Sequence, residues 1–514
     1  MTTLEKQAEV KNGVKRMVFA GLALLLQIFL IIEIFTNLNR HSEIISAATH
    51  ILALFLVLVI YSARKTSSMK TPWIILILLM PVFGTTLFLL IGLNGSSRKM
   101  RKRYEEIDRA LLPELSQNEE VLQELEKKDP YVANLSKYLL HSGKYPVYKN
   151  TDITYYDDAA KGLEAQKEEL KKAEKFIFME YHAIEDRESW HGIQKILEEK
   201  VKAGVDVRVF YDDMGSIGFI NTDFVKRMEQ KGIRCRVFNA FAPGLNIFLN
   251  NRDHRKITVI DGKVGFTGGY NLANEYFNLT HPYGHWKDTG IRLTGEAVKS
   301  LTVTFLEMWK AIKKDEEDTG KFLPDTDYRS REDAFVQPYA DSPMDNEQIG
   351  ENVYISLAEN AVKYVWYITP YLILTDEMIH AFGLAAKRGV DVRIITPGIP
   401  DKKMVYNVTR SYYNALVCSG VRIFEYTPGF CHCKMCVSDD RVAVNGTINL
   451  DYRSLYHHFE NGCLYSACRA VQDTKADFDA TLLKCREVTG QYRSGRNAVL
   501  RLGQLILRLF APLM

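Results

Sequence analysis

The sequence predicts an α/β protein of two similar halves packed together, preceded by two or three N-terminal transmembrane helices. Three observations predict it. Long apolar runs with almost no charge crowd the N-terminus. A strand–helix–Gly turn–strand block occurs twice further on, which argues for duplicated βαβ units. Each copy of that block is followed by the same sparse pattern of His, Lys, Asp, Gly and Asn.

Composition bounds the function classes. At 514 residues the chain exceeds one typical domain. Lys and Arg total 66 against 63 Asp and Glu, a formal net charge of +3. That balance lacks the basic footprint of a nucleic-acid binder, so no nucleic-acid partner is expected. The 8 cysteines are scattered and do not form a small secreted disulfide framework.

The apolar runs cover residues about 17–36, 44–62 and 73–93, within a membrane anchor expected over 1–97. Each is about long enough to cross a hydrocarbon core of roughly 30 Å. The first carries Gln27 and Glu33 and suits the interface as well as a crossing. The third contains Pro81 and Gly84, which predict a kink or a re-entrant turn. Arg98, Lys99, Arg101, Lys102 and Arg103 follow it, and the positive-inside bias then puts the rest of the chain in the cytoplasm. Lys11, Lys15 and Arg16 ahead of the first run pull the other way. The expected localisation is a multi-pass cell-membrane protein.

Residues 98–142 are charged and broken near Pro113 and Pro130, which predicts a polar helical linker. The first half is expected over 143–325 and the second over 326–490. In the first, "KFIFMEYHAI" from Lys175, "KAGVDVRVFYD" from Lys202 and "KGIRCRVFN" from Lys231 read as successive strands. In the second, "KYVWYITPYLIL" from Lys363, "KRGVDVRIITPG" from Lys387 and "SGVRIFEY" from Ser419 repeat them in order. Their continuous apolar character suits a sheet covered on both faces. A tail over 491–514 places Leu500, Leu502, Leu505, Ile506 and Leu509 near one helical face, with Arg493, Arg496, Arg501 and Arg508 nearby. It suits a membrane-surface helix, or one docked on the domain.

The chemistry sits after the third strand of each half. "DHRKITVIDGKVGFTGGYN" supplies His254, Lys256, Asp261, Gly268 and Asn271. "CHCKMCVSDDRVAVNGTIN" supplies His432, Lys434, Asp439, Gly446 and Asn449 at identical spacings. Cys431, Cys433 and Cys436 suggest zinc, but their places in the first half hold Asp253, Arg255 and Thr258. The cysteines therefore read as small strand fillers, and no metal or cofactor is expected.

Side chains two apart on a strand share a face, so each His lies beside its Lys. Asp261 in "DG" and Asp439 in "DD" complete the two sets and are expected to hold turns rather than touch substrate. Gly268 and Gly446 end short strands where backbone approaches closely, and Asn271 and Asn449 can donate amide hydrogen bonds. Facing halves would gather two imidazoles, two ammonium groups and two amides, a set suited to a tetrahedral phosphoryl anion. One imidazole can attack phosphorus while the other moves the proton. Each His wants a carboxylate to fix its tautomer. Asp288 in "HWKDTG" lies a further strand downstream of His254, and Glu460 in "HHFENG" downstream of His432. The loop "FAPGLNIFLNNRDH" from Phe241 reads equally as a lipid-facing rim or as core.

These paired motifs resemble the HKD motifs of the phospholipase D superfamily. With "LMPVFGTTLFLLIGLN" closing the hydrophobic region, the chain is similar to bacterial cardiolipin synthases from about Ile44 to Met514. The second copy departs in one place, with Thr447 where Gly269 stands. The resemblance implies two phospholipase D-like halves and a transphosphatidylase that condenses two phosphatidylglycerols to cardiolipin and glycerol. It implies that His254 is the nucleophile and His432 the acid/base. Lys256, Lys434, Asn271 and Asn449, with Gly268 and Gly446, would then cradle the phosphate. The implied partners are phosphatidylglycerol and the bilayer. The acceptor stays open between a second phosphatidylglycerol, phosphatidylethanolamine and water, and a membrane-tethered nuclease is the distant alternative. The sequence sets no oligomeric state.

Overall fold

The computed structural model describes residues 43–63, 66–91, 95–240 and 250–493, with scattered positions over 18–40 and 503–511. Most of the first apolar run and the loop over 241–249 lie outside the described residues.

The two halves each build one sheet. The first holds β1 Thr151–Tyr156, β2 Phe176–Tyr181, β3 Asp206–Asp212, β4 Arg234–Phe238, β5 Lys256–Ile260, β6 Val264–Gly268 and β7 Gly290–Gly295. Its order is β1-β7-β6-β5-β2-β3-β4. The second holds β8 Phe335–Asp341, β9 Tyr364–Ile368, β10 Asp391–Pro397, β11 Arg422–Tyr426, β12 Met435–Ser438, β13 Val442–Gly446, β14 Glu460–Ser466 and β15 Cys485–Glu487. Read from β8, the order β8-β14-β13-β12-β9-β10-β11 reproduces the first sheet, with β15 added at the far edge.

Within each sheet the repeated βαβ blocks are parallel, β2 with β3 and β4, and β9 with β10 and β11. The motif strands β5 and β12 run antiparallel to β2 and β9 and continue as meanders. The sheets are therefore mixed. Burial on both faces, as at Ile177, Phe178, Val365 and Ile394, explains why these strands read as unbroken apolar runs. The helix Val298–Ile312 lays Phe305 on Phe178 with ring centroids 4.5 Å apart, closing the core of the first half.

The N-terminal region departs from two or three crossings. Among the described residues one helix is long and apolar enough to span a membrane, α1 Glu43–Ser62. Its 20 residues reach about 30 Å. Its outward residues Ile51 (69% exposed) and Leu58 (66% exposed) form a face that suits lipid rather than water. The third run is not one helix. Pro81 ends α2 Ser67–Leu79 and begins α3 Pro81–Ile91, because proline cannot donate to the preceding turn. At about 20 and 16 Å, neither piece spans the hydrocarbon core. They fold back into a hairpin: a Cβ on Gly84 would lie 2.6 Å from Ile77 Cα, so only glycine permits that approach. Trp73 meets Phe88 edge-on at 5.3 Å, and Ile77 packs with Ala53, Leu56 and Ile60 of α1.

The stretch expected as a polar linker is part of the folded body. It forms α4 Gly95–Leu111 and helices Glu119–Lys128 and Pro130–His141. Their sparse apolar positions, among them Tyr104, Leu122, Leu125, Val132 and Leu139, are buried in the main core. Asn118 and Asp129 cap the latter two helices by accepting from backbone N–H groups. Of the C-terminal tail, Leu507 packs against that core and Arg508 lies 4.3 Å over the Tyr412 ring, so this part docks on the second half. Leu500, Leu502, Leu505 and Ile506 lie outside the described residues.

Candidate active site

The two halves meet where the segments leading into four strands cross. The stretch before β5 pairs with the stretch before β14: His254 N–H donates to Phe459 O at 2.9 Å, and Phe459 N–H to Arg252 O at 2.9 Å. The stretch before β12 pairs with the stretch before β7 in the same way, through His432 N–H to Lys287 O at 2.8 Å and Lys287 N–H to Phe430 O at 3.0 Å. Two further rungs tie the sheets, Asn461 Nδ2 to Thr267 Oγ1 at 2.8 Å and Asn445 Nδ2 to Thr289 Oγ1 at 2.9 Å.

This crossing decides the carboxylate partners. His254 Nδ1 lies 2.8 and 2.9 Å from the two Glu460 oxygens. His432 Nδ1 lies 2.7 Å from Asp288 Oδ2. Each histidine is therefore oriented by the other half's carboxylate. The expected pairing of Asp288 with His254 and Glu460 with His432 is corrected. Chain order within a half suggested it, whereas pairing across the interface brings the distant carboxylate closer. With Nδ1–H donated to a carboxylate, Nε2 of each ring keeps its lone pair.

Lys256 and Lys434 are buried on the same face as their histidines, and each ammonium donates to the backbone carbonyl of its own His. Lys434 Nζ also stands 2.8 Å from His432 Nδ1. Burial lowers Lys256 to about 7, with Lys434 adding repulsion against the pull of Glu460. Burial lowers Lys434 to about 8, opposed by Asp288. Burial and then Lys434 push His432 down to about 4. His254 is pushed well below the ordinary histidine range by burial, then by Lys256, His182, Lys434 and His432. That Lys434 and His432 act on His254 places both motifs in one electrostatic site. Burial alone would raise Asp288, but His432, Lys434 and the Thr289 amide outweigh it and hold it ionised.

The remaining motif residues fall into two groups. Asp261 and Asp439 lie at the opposite ends of β5 and β12 from the histidines, in left-handed backbone with φ of 54° and 53°. Asp261 accepts from the N–H groups of Glu174, Lys175 and Phe176 at 2.7–2.8 Å. Asp439 accepts from Val362, Lys363 and Tyr364 over the same distances. Both pin a turn to the neighbouring strand. A Cβ on Gly268 would lie 2.5 Å from Thr289 O, and one on Gly446 2.4 Å from Asn461 O, so these glycines set the spacing of the strands that carry the carboxylates. Asn271 is buried, accepting from Ala183 N–H at 3.1 Å and donating to the Tyr276 hydroxyl at 2.8 Å. Buried Asn449 leaves its Oδ1 without a hydrogen bond.

Several neighbours went unnoticed in the sequence. The His182 ring meets His254 edge-on at 5.0 Å, and the His458 ring lies 5.6 Å from it. Around His432 stand Tyr276 at 5.2 Å, Trp286 at 5.3 Å and Phe430 at 5.9 Å. Aligning the halves would have exposed this contrast, since His458 precedes Glu460 as Trp286 precedes Asp288. At Thr447, which replaces Gly269, the hydroxyl donates to Glu460 Oε2. A Cβ on Gly269 would collide with Asp288 Oδ1 at 2.0 Å, so the two sites cannot share that residue. Cys431, Cys433 and Cys436 are fully buried. Among the described residues they join no group of metal-ligating side chains; the one such group is His254, His458 and Glu460.

Comparison with known proteins adds three findings. A family model described as "Cardiolipin synthase, PLD-like domain" matches residues 167–309 and 354–482, and one described as "Phospholipase_D-nuclease N-terminal" matches 51–92. An uncharacterized protein of Streptococcus mutans is 44% identical over 453 residues, covering 88% of this chain and 98% of the relative. A cardiolipin synthase of Halalkalibacterium halodurans is 30% identical over 475 residues, covering 90% and 92%. Among solved structures, a phosphatidylserine synthase of Haemophilus influenzae Rd KW20 superposes with a TM-score of 0.54 at 16% identity, covering 70% of this chain and 93% of that one, a likeness of fold.

Proposed function

This chain belongs to the phospholipase D superfamily, with two PLD-like domains in tandem, and from that premise we propose that it is a membrane-anchored cardiolipin synthase. The observation that carries the reading is the pair of reciprocal His–carboxylate contacts, with two lysines, in one buried site. The exposed apolar face of α1 and the cardiolipin synthases among the relatives support a lipid substrate.

In the first step His254 Nε2 attacks the phosphorus of one phosphatidylglycerol. The phosphorus–oxygen bond to the terminal glycerol breaks, and His432 gives its proton to that oxygen. In the second step His432 takes the proton from a hydroxyl of another phosphatidylglycerol. The freed oxygen attacks phosphorus, and the phosphorus–nitrogen bond breaks to regenerate His254. His254 is held neutral by burial and by Lys256 beside it, as a nucleophile requires. A bound phosphodiester anion raises His432 towards the protonated form that the first step uses. Lys256 and Lys434 offset charge growing on the phosphoryl oxygens, and Asn271 and Asn449 complete the cradle. The reading puts the catalytic part at the cytoplasmic face, in keeping with Arg98, Lys99, Arg101, Lys102 and Arg103 beside the apolar region.

The test is purified full-length protein in phosphatidylglycerol vesicles, with products resolved by mass spectrometry. Cardiolipin and glycerol are expected in equal amounts. Phosphatidic acid without cardiolipin would make water the acceptor and the enzyme a hydrolase. His254→Ala is expected to abolish turnover, and acid-labile phosphate trapped on His432 instead of His254 would reverse the roles.

A further inference from the structure

We propose that His254, His458 and Glu460 form an inhibitory site for a borderline-soft divalent cation such as Zn²⁺, built on one side of the active site only. Three observations carry it. One ligand atom from each residue lies within 4.8 Å of the other two. His458 is largely enclosed, yet neither of its ring nitrogens makes a hydrogen bond, and its Nδ1 stands 3.8 Å from Glu460 Oε1. A partnerless imidazole held beside a carboxylate is a ligand pair in waiting, since an enclosed polar group normally finds a partner. The other half lacks the counterpart, because Trp286 occupies the matching position, its ring tilted against that of His432 with centroids 5.3 Å apart, and an indole offers no metal ligand.

The chemistry fits. Two imidazoles and a carboxylate are a recurring zinc set, with bonds of about 2.0–2.2 Å that place ligand atoms about 3.3 Å apart and leave one position open. His254 Nδ1 lies 2.8 Å from Glu460 Oε1 and His458 Nδ1 lies 3.8 Å from the same oxygen, so closure opens the first pair and draws in the second by about 0.5 Å each; His458 has no hydrogen bond to break, and the His254–Glu460 bond opens as the proton leaves Nδ1. Lys256 and Lys434 oppose a dication, which makes the site a reversible brake rather than a permanent holder. Inhibition follows from proton count and rests on His254 being the nucleophile. A neutral imidazole carries one proton. Coordination at Nδ1 moves that proton to Nε2, the atom that must attack, and removes its lone pair.

Binding and inhibition are tested separately on the full chain in detergent micelles. Co²⁺ is expected to give visible d–d bands of a four- or five-coordinate site, with no thiolate charge-transfer band, and Zn²⁺ to displace it at one equivalent. His458→Asn and His458→Phe, two replacements so that a misfolded one does not decide the matter, should each weaken binding by at least on the order of tenfold. They should keep basal turnover and make it resistant to Zn²⁺, while a chelator restores the inhibited wild type. Unchanged Co²⁺ bands in both folded variants would overturn the site. Bands that depend on His458 with Zn²⁺-insensitive turnover would overturn the inhibitory role. Zn²⁺ binding with no transferase or hydrolase activity in any form would instead tell against the enzymatic reading alone.

Discussion

Lys256 and Lys434 are where this site is electrostatically least at ease. Burial brings them to about 7 and about 8, so near neutral pH each holds its proton loosely. An oxyanion bound between them restores the ordinary preference for the charged form, and binding therefore takes up protons. The sign follows: the free site loses protons as pH rises past about 7, the bound site keeps them, and affinity falls with rising pH. Tungstate binding is expected to weaken above pH 8 by roughly tenfold per pH unit for each lysine that must be reprotonated. Calorimetry in buffers of different ionisation enthalpy would read the proton uptake directly. Affinity flat from pH 7 to 9 would show that the lysines do not hold the anion. These residues were legible in the sequence because the spacing of each His and Lys recurs in both copies. His182 and His458 were not, because neither recurs: Pro370 and Trp286 stand in their places, and only folding brings them to His254.

At the scale of elements, the strands that carry the carboxylates are set by glycines. Gly446 lies opposite Gly462 across β13 and β14, and Glu460 begins β14. Gly446→Ala puts a Cβ 2.4 Å from Asn461 O, against backbone that cannot swing aside. It is expected to cost about 1–3 kcal/mol, as overpacking does, read as a lower thermal midpoint. Turnover should fall by more than that loss of folded protein accounts for, because β14 moves with Glu460. An unchanged midpoint would show that the two strands separate freely. The strands themselves could be read from apolar runs and Gly turns, since those signals are local. The third apolar run could not be read to its end. Pro81 and Gly84 announce a break, but whether the pieces continue or fold back depends on Ile77 and Trp73 packing on the other arm and on α1. The charged stretch after it misled for a related reason, its few apolar residues being spaced to face a core that chain order does not reveal.

At the scale of the whole molecule, the crossed carboxylates make the halves dependent on each other. His254 and Glu460 are 206 residues apart in the chain, and His432 and Asp288 144, yet each pair is in direct hydrogen-bond contact. Local patterns recognise both histidines and both carboxylates. They cannot assign partners, because the assignment is made by backbone pairing of 252–254 with 458–460 and of 430–432 with 286–288. The consequence is testable with a phosphodiester bearing a good leaving group, which needs no acid in the first step. Glu460→Gln should slow the phosphoenzyme burst by roughly 10²–10⁴-fold, since the attacking ring loses its tautomer and orientation. Asp288→Asn should leave that burst intact and slow only the second step by a similar factor. In a His432→Ala background, Asp288→Asn should add nothing, its partner being gone, while Glu460→Gln should still suppress the burst. Were the pairing contained within each half, the two substitutions would exchange effects, with Asp288→Asn erasing the burst. The halves would then be two separable sites instead of one site that neither can form alone.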